Sequence, residues 1–183
     1  MTSADEPSTS ANDGHLGILA ASVAARRAAI DLARSEGTHL TARPAFPGSE
    51  IVAADLRPLD GVRAARRIEV GARYQAREYI RQAREDGASW DEIGHALGLS
   101  PGTGQAATTV ADAAYTYAAG SPDTDLARRY GRSFGWVCSS CQHVIDDRGV
   151  QTGPADDEHG HTESCRRLAQ TIALRETQWE AGL

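Results

Sequence analysis

The spacing of three cysteines and one histidine constrains this chain more than any other feature. All three cysteines of the 183 residues fall in one pattern, Cys138-x2-Cys141 followed by His161-x3-Cys165. A tight turn can aim the thiolates of the first pair at one point, and a four-residue interval places the second pair on one face of a helix. Three thiolates and one imidazole complete the tetrahedral ligand set of Zn²⁺. The pattern predicts a bound zinc ion; the alternative is three cysteines that bind no metal.

His143 and His159 are alternatives to His161 as the fourth ligand. His159 would leave five residues before Cys165, a less natural helical spacing, so His161 is preferred. A catalytic zinc keeps one coordination position open and usually has a carboxylate base nearby. The zinc-deaminase signature places His-x-Glu ahead of Pro-Cys-x-x-Cys, whereas here the order is reversed and no proline precedes Cys138. We therefore expect a structural site and no enzymatic activity.

The segments that flank the cysteines predict a small α+β module over residues 136–183. Apolar residues lead into the first cysteine pair and out of it, and Asp146 to Gly149 is typical of a hairpin turn. From His161 to about Trp179 a helix is predicted, with both later ligands and a small apolar core on one face. A cysteine knuckle, a hairpin and such a helix resemble a treble-clef zinc finger. The resemblance implies a module that binds DNA, RNA or protein, or that braces a fold.

Composition and charge restrict the class of protein. The net charge of −6 argues against an indiscriminate nucleic-acid binder. Every one of the 19 basic residues is an arginine, and with abundant Ala and Gly this is typical of proteins from GC-rich actinobacteria. No export signal and no apolar stretch long enough for a bilayer are visible. Cysteines spaced for metal in such a chain predict a reducing, cytoplasmic location and no membrane association.

The rest of the chain divides into helices and connecting segments. Residues 1–13 are predicted to be a disordered acidic tail, and residues 14–37 a helix that Asp13 caps and Gly37 closes. An apolar stripe on this helix predicts a packing face against a neighbouring helix; the alternative is a homodimer through it. Residues 38–57 are predicted to be a linker, and residues 121–135 a linker or short helix.

A second long helix is predicted from Pro58 to about Asp86, with two contrasting faces. Apolar residues, among them Val62, Ile68 and Tyr79, share one side. The opposite arc is almost purely positive, whereas a solvated face normally mixes signs, so it is a candidate surface for phosphates or for an acidic protein. The arc consists of Arg63, Arg66, Arg67, Arg73, Arg77, Arg81 and Arg84.

The segment after this helix carries the signals of two helices joined by a tight turn. Ser89 and Glu92 form a capping box, Gly98 ends the helix with positive φ, and Pro101 is suited to begin the next one. Together with the long helix, residues 58–120 resemble the helix-turn-helix of bacterial regulators and sigma-factor-like domains. The resemblance implies that the helix from Ser89 supports the fold and that the helix from Pro101 onward reads the major groove.

The chain departs from that family where bases would be read. Residues 101–109 contain no Arg, Lys or Asn, so base contacts would depend on Thr103, Gln105 and Thr108. Gly102 and Gly104 weaken a helix at this end. The fold can therefore persist with its DNA-reading function reduced or lost.

The sequence as a whole predicts a mainly α fold, with a helical helix-turn-helix domain and a small α+β zinc-binding module. The predicted function is a DNA-binding, transcription-regulatory protein with a structural Zn²⁺ and duplex DNA as its partner. The alternative is a protein-interaction adaptor, for example one that docks on the transcription machinery. In that case the arginine arc meets an acidic protein partner and the fold reads no DNA.

Overall fold

The chain is built mainly from helices. A computed structural model describes residues 10–44, 47–101, 109–120 and 133–181. Within these ranges it contains six helices and five short strands, so the predicted mainly α fold with a small β component is confirmed. The chain divides into an N-terminal unit, residues 1–74, and a C-terminal unit, residues 75–183.

The N-terminal unit contains helix α1 (Ser10–Ser35), strands β1 (Thr41–Pro44) and β2 (Val52–Asp55), and the first part of helix α2 (Pro58–Asp86). Helix α1 begins before the predicted cap Asp13, so that residue lies inside the helix. Its predicted end is found, because Gly37 has a φ of 74° and closes the last turn. The segment predicted to be a linker contains the antiparallel hairpin of β1 and β2.

The core of the N-terminal unit is small. Its buried apolar residues are Ala29, Ala33, Leu56 and Ala64. Val62, on the apolar side of α2, is 65% exposed and does not belong to this core. Three of the four buried side chains are single methyl groups, which bury little apolar surface.

The C-terminal unit begins with the end of α2, followed by helices α3 (Trp90–Ala96) and α4 (Val110–Ala119). The capping box of Ser89 and Glu92 is present as predicted. Gly98 has the predicted positive φ, at 69°, and the Leu99 N–H donates to the Gly94 carbonyl at 2.9 Å. This hydrogen bond closes α3 in a Schellman motif.

The prediction of one continuous helix from Pro101 onward is wrong at Thr109. Thr109 is extended, with a ψ of 164°, and caps α4 in a second capping box with Asp112. Pro101 itself is not helical. A Thr with an acidic residue three positions later is the local signal for this helix start. Thr103, Gln105 and Thr108 lie outside the described residues.

The remainder of the C-terminal unit is a small antiparallel sheet with two helices. Strands β3 (Phe134–Val137), β4 (Val144–Asp147) and β5 (Glu158–His159) pair in that order, with helix α5 (Pro154–Asp157) before β5 and helix α6 (Arg166–Glu180) after it. Asp146 and Asp147 belong to β4, so the predicted turn at these residues is wrong. The cysteine knuckle itself joins β3 to β4.

Helices and sheet of the C-terminal unit share one aromatic core. Trp90 of α3 makes edge-to-face contacts with Tyr115 of α4 and Phe134 of β3, at ring-centroid distances of 5.3 and 5.6 Å. Cys138, Ile145 and other buried side chains complete the cluster. The cysteine-bearing sheet therefore packs directly on the helices. Among the described helices, none has both the length and the apolar character that a bilayer crossing requires.

Candidate metal centre and arginine surface

The four predicted ligands converge on one point. The candidate donor atoms of Cys138, Cys141, His161 and Cys165 all lie within 4.8 Å of one another. The Cys138 and Cys165 Sγ atoms are 3.7 Å apart. Nδ1 of His161 lies 3.6 Å from Sγ of Cys141 and 3.2 Å from Sγ of Cys165, so this nitrogen is the one that faces the thiols. The arrangement can hold a metal ion.

The first two ligands are positioned by the knuckle between β3 and β4. The Cys138 N–H donates to the His143 carbonyl at 2.9 Å, and the Gln142 N–H donates to the Cys138 carbonyl at 2.7 Å. Gln142 adopts a φ of 60°, which lets the chain reverse within so few residues. These bonds aim the Cys138 and Cys141 side chains to the same side.

The last two ligands lie on a turn rather than on a helix. Helix α6 begins at Arg166 with Cys165 at its N-cap, so the prediction that a helix starts at His161 is wrong. The Cys165 N–H donates to the Thr162 carbonyl at 3.0 Å, which brings His161 and Cys165 together without a helical turn. His143 and His159, the alternative ligands, are exposed and lie outside the cluster.

The chemistry of the donors suits a metal ion. Burial raises the pKa of the Cys138 thiol, which favours its neutral form when no cation is near. Burial also acts to raise the pKa of Cys141, but hydrogen bonds from the His143 and Thr162 backbone, together with the interaction with the His161 side chain, lower it to about 6. A thiolate is the form that binds metal, so Cys141 is prepared for coordination.

The buried Glu158 carboxylate contacts the ring nitrogen of His161 that faces away from the thiols. Nε2 of His161 lies 3.1 Å from the Glu158 carboxylate, which also accepts from Arg167 at 2.9 Å. Burial acts to raise the pKa of Glu158, but the charges of Arg84 and Arg167 outweigh it and the pKa is lowered. An ionised Glu158 fixes the proton on Nε2 and leaves Nδ1 free to bind a metal.

Glu158 is also linked to the helices through Arg84. This arginine is 4% exposed and forms ion pairs with Asp147, at 3.0 Å, and with Glu158. Asp147 is fully buried and accepts hydrogen bonds from the indole N–H groups of Trp90, at 3.1 Å, and Trp136, at 3.0 Å. A continuous polar network therefore joins α2, α3, β3 and β4 to the four candidate metal ligands.

Sequence reasoning missed this network, although one signal for it exists. Asp147 stands two positions after the buried Ile145 in the same strand, and strand alternation places both on the inner face. The acidic residues around it instead suggested a turn. Glu158 carries no such local signal, because its burial depends on arginines from two helices.

The predicted arginine arc is less uniform in the structure than along the sequence. Arg84 is buried and ion-paired and cannot reach a phosphate. Its prediction as a nucleic-acid contact is therefore wrong. Arg77 and Arg81 are half-buried. The others are exposed, and each has a carboxylate partner: Arg63 with Asp60, Arg66 and Arg73 with Glu69, and Arg67 with Glu36.

Comparisons of the chain with protein-family models, with curated proteins and with solved structures find no match.

Proposed function

We propose that this chain is a DNA-binding regulatory protein whose helix-turn-helix is braced by a structural zinc ion. The observation that carries the proposal is the geometry of α3. It starts at a complete capping box, ends at Gly98 in a Schellman motif, and packs against α4 in a core that also includes Ile80 of α2. A short, doubly capped helix in such a setting is typical of the supporting helix in these domains.

Zinc is the metal that the donor set favours. Thiolate and imidazole donors select zinc over magnesium, calcium or manganese, which prefer oxygen ligands. Bound to Cys138, Cys141, His161 and Cys165, the ion would supply structural cross-linking. The residues themselves bury the site, orient the imidazole and exclude water.

DNA contacts are proposed for the exposed arginines of α2. Arg63, Arg66 and Arg73 combine exposure with surface ion pairs, which contribute little and exchange readily for phosphate. Base contacts would fall to Thr103, Gln105 and Thr108, as the resemblance implies. Phosphate contacts position such a protein on the duplex, and base contacts give it sequence preference.

The test is binding of the zinc-loaded protein to a random-sequence duplex at low and at moderate salt. We expect affinity that falls steeply with salt. Arg66→Glu should weaken binding on every sequence and reduce the salt slope by about one. Arg148→Glu is the matched control, because Arg148 is also exposed and ion-paired but is not one of the proposed contact residues. Absence of salt-sensitive binding at low salt would overturn the proposal.

One observation favours the adaptor as a second candidate. The exposed arginines of α2 are paired with carboxylates; Glu69, for example, lies 2.7 Å from Arg66 and 3.7 Å from Arg73. Paired charges on a protein of net charge −6 suit an acidic, structured protein surface better than a polyanion. An adaptor would show no duplex binding, but would form a salt-sensitive complex with purified RNA polymerase that Arg66→Glu disrupts.

A further inference from the structure

We propose that Arg84 couples occupancy of the metal site to the geometry of the α2–α3 turn, with Glu158 as the intermediate. The helical part of the C-terminal unit would then respond to metal. This inference rests on the metal binding proposed above and is independent of whether the protein binds DNA.

The coupling begins at the ligand His161. Its Nδ1 faces the cysteine thiols, and its Nε2 meets the Glu158 carboxylate at 3.1 Å. A metal on Nδ1 requires the proton on Nε2, and that proton is the one that Glu158 accepts. Occupancy of the site therefore fixes the position of the Glu158 carboxylate.

Arg84 carries the effect from Glu158 to the helices. Its guanidinium reaches Glu158, Asp147 at 3.0 Å, and the backbone carbonyl of Ala88 at 2.6 Å. Ala88 lies in the turn between α2 and α3, where its N–H also closes α2 by donating to the Ala83 carbonyl at 2.8 Å. The planar guanidinium of Arg84 therefore contacts both Glu158, the carboxylate beside the ligand His161, and the α2–α3 turn.

Asp147 makes the link cooperative. It binds Arg84 and also accepts from the indole of Trp90, the first residue of α3. Burial raises the pKa of Asp147, and the charge of Arg84 works against this rise. A shift of Arg84 would leave a buried carboxylate unpaired, which is strongly unfavourable. The start of α3 is consequently held by the same guanidinium that Glu158 positions.

Arg167 provides a matched control. It also donates to Glu158, at 2.9 Å, and its guanidinium lies over the Trp136 ring at 4.1 Å from the centroid. It belongs to α6, however, and among the described residues its hydrogen bonds and ion pairs do not reach the α2–α3 turn. Loss of Arg167 should weaken the support of the metal ligand and leave the link to α3 intact.

The experiment measures hydrogen exchange of α3 amides, with and without zinc, in wild type, Arg84→Met and Arg167→Met. The amides of Ile93 and Leu97 suit it, since they donate within the helix to Ser89 and Ile93. Zinc affinity is measured in parallel by competition with a chelator. In wild type, zinc removal should lower the protection of these α3 amides, because the opening free energy of α3 would lose the support of the metal site.

The two variants should then differ in how zinc changes the protection of α3. Arg84→Met should lower zinc affinity and largely abolish the effect of zinc on α3 protection, because the coupling is reciprocal. Arg167→Met should lower zinc affinity while the effect on α3 persists. If zinc changes α3 protection equally in Arg84→Met and wild type, or not at all in wild type, the proposal is overturned.

A second substitution of Arg84 keeps the proposal testable when the first variant does not fold. If Arg84→Met does not fold with zinc, Arg84→Lys makes the same test, because an ammonium keeps the charge but cannot bridge three acceptors in a plane. Persistence of the full zinc effect in Arg84→Lys would again contradict the coupling. Neither readout uses DNA, so a negative duplex-binding result and a negative coupling result are separate findings.

Discussion

The two units of this chain reach folded structure by different means. The N-terminal unit buries three alanines and one leucine and carries its ion pairs on the surface. The C-terminal unit buries four aromatic side chains and a network of ion pairs, and contains the candidate metal ligands. Exposed ion pairs contribute roughly 0–1 kcal/mol each, whereas loss of one partner from a buried pair costs about 3–5 kcal/mol.

This contrast indicates where sensitivity to mutation and to metal should lie. All three tryptophans belong to the C-terminal unit, so tryptophan fluorescence reports on that unit alone. Single changes in its network should have large effects. Changes on the surface of the N-terminal unit should have small ones, because water and salt already compete with its ion pairs.

Metal removal should have the largest effect. We expect a strong chelator to lower the free energy of unfolding of the C-terminal unit by several kcal/mol, because a structural zinc contributes about 10 kcal/mol or more in small domains. Thermal unfolding followed by tryptophan fluorescence would measure it. Cys138→Ser should reproduce the loss, and Ser140→Ala, in the same knuckle but outside the cluster, should not. An unchanged midpoint after chelation would show that no structural metal is bound.

Asp147→Asn should have the next largest effect. The amide loses the charge that pairs with Arg84, so we expect a loss of about 3–5 kcal/mol. Asp146→Asn is the control in the same strand, because the ion pair of Asp146 among the described residues is with the exposed Arg148, at 3.4 Å, and its loss should cost less than about 1 kcal/mol. Urea unfolding of both variants would measure the difference. Equal losses would mean that the buried network adds no stability.

A pair of glycine substitutions should act in opposite directions in the two units. A Cβ on Gly94 of α3 would lie 2.8 Å from the Val110 carbonyl oxygen, so Gly94→Ala should destabilise by about 1–3 kcal/mol. A Cβ on Gly71 of α2 would meet nothing within 4 Å. Gly71→Ala should therefore stabilise the helix by about 0.5–1 kcal/mol. Thermal unfolding of both variants, followed by circular dichroism, would measure the two changes in stability. Destabilisation by Gly71→Ala would indicate that another part of the protein packs against α2 at Gly71.

A smaller effect than those of the metal site and the buried network should come from the cap of α3. Ser89→Ala should cost about 1 kcal/mol. Hydrogen bonds from the Ser89 backbone and side chain lower the pKa of Glu92. Since its folded pKa lies below the unfolded value, its contribution is present above the usual glutamate pKa and disappears as pH falls through the lowered one. Glu92→Gln should thus reduce stability at neutral pH and match wild type in acid. A difference that persists in acid would contradict this account.

The local features of the fold were largely predictable from sequence. The bounds of α2, the capping box of α3 and the positive φ of Gly98 were all predicted and are found. Each depends on residues only a few positions apart, whose hydrogen bonds and backbone preferences act before tertiary packing forms. The convergence of the four candidate ligands belongs here too, because cysteine spacing encodes it.

The failures occur where two local signals compete or where partners are distant. The sequence predicted a helix start at Pro101, but α4 begins after Thr109, which is its N-cap. Both positions carry a local signal for a helix start, and α4 uses the second. Asp146 and Asp147 resembled a turn, although pairing with β3 and β5 makes them a strand. Helix α6 begins at Arg166 because the ligand turn precedes it. At Asp146 and Asp147 strand pairing overrides the local preference, whereas at the two helix starts one local signal prevails over another.

By itself, the sequence determined which four residues form the candidate ligand cluster, the bounds of α2, the capped start of α3 and the mainly α class, since these follow from short-range geometry. Only the tertiary structure decided that Arg84 is buried rather than part of the surface arc, and that Asp147 and Glu158 lie against it. These residues are 63 and 74 positions from Arg84 along the chain. A charged side chain is buried only where partners compensate its lost hydration, and no sequence pattern states which distant partners will arrive.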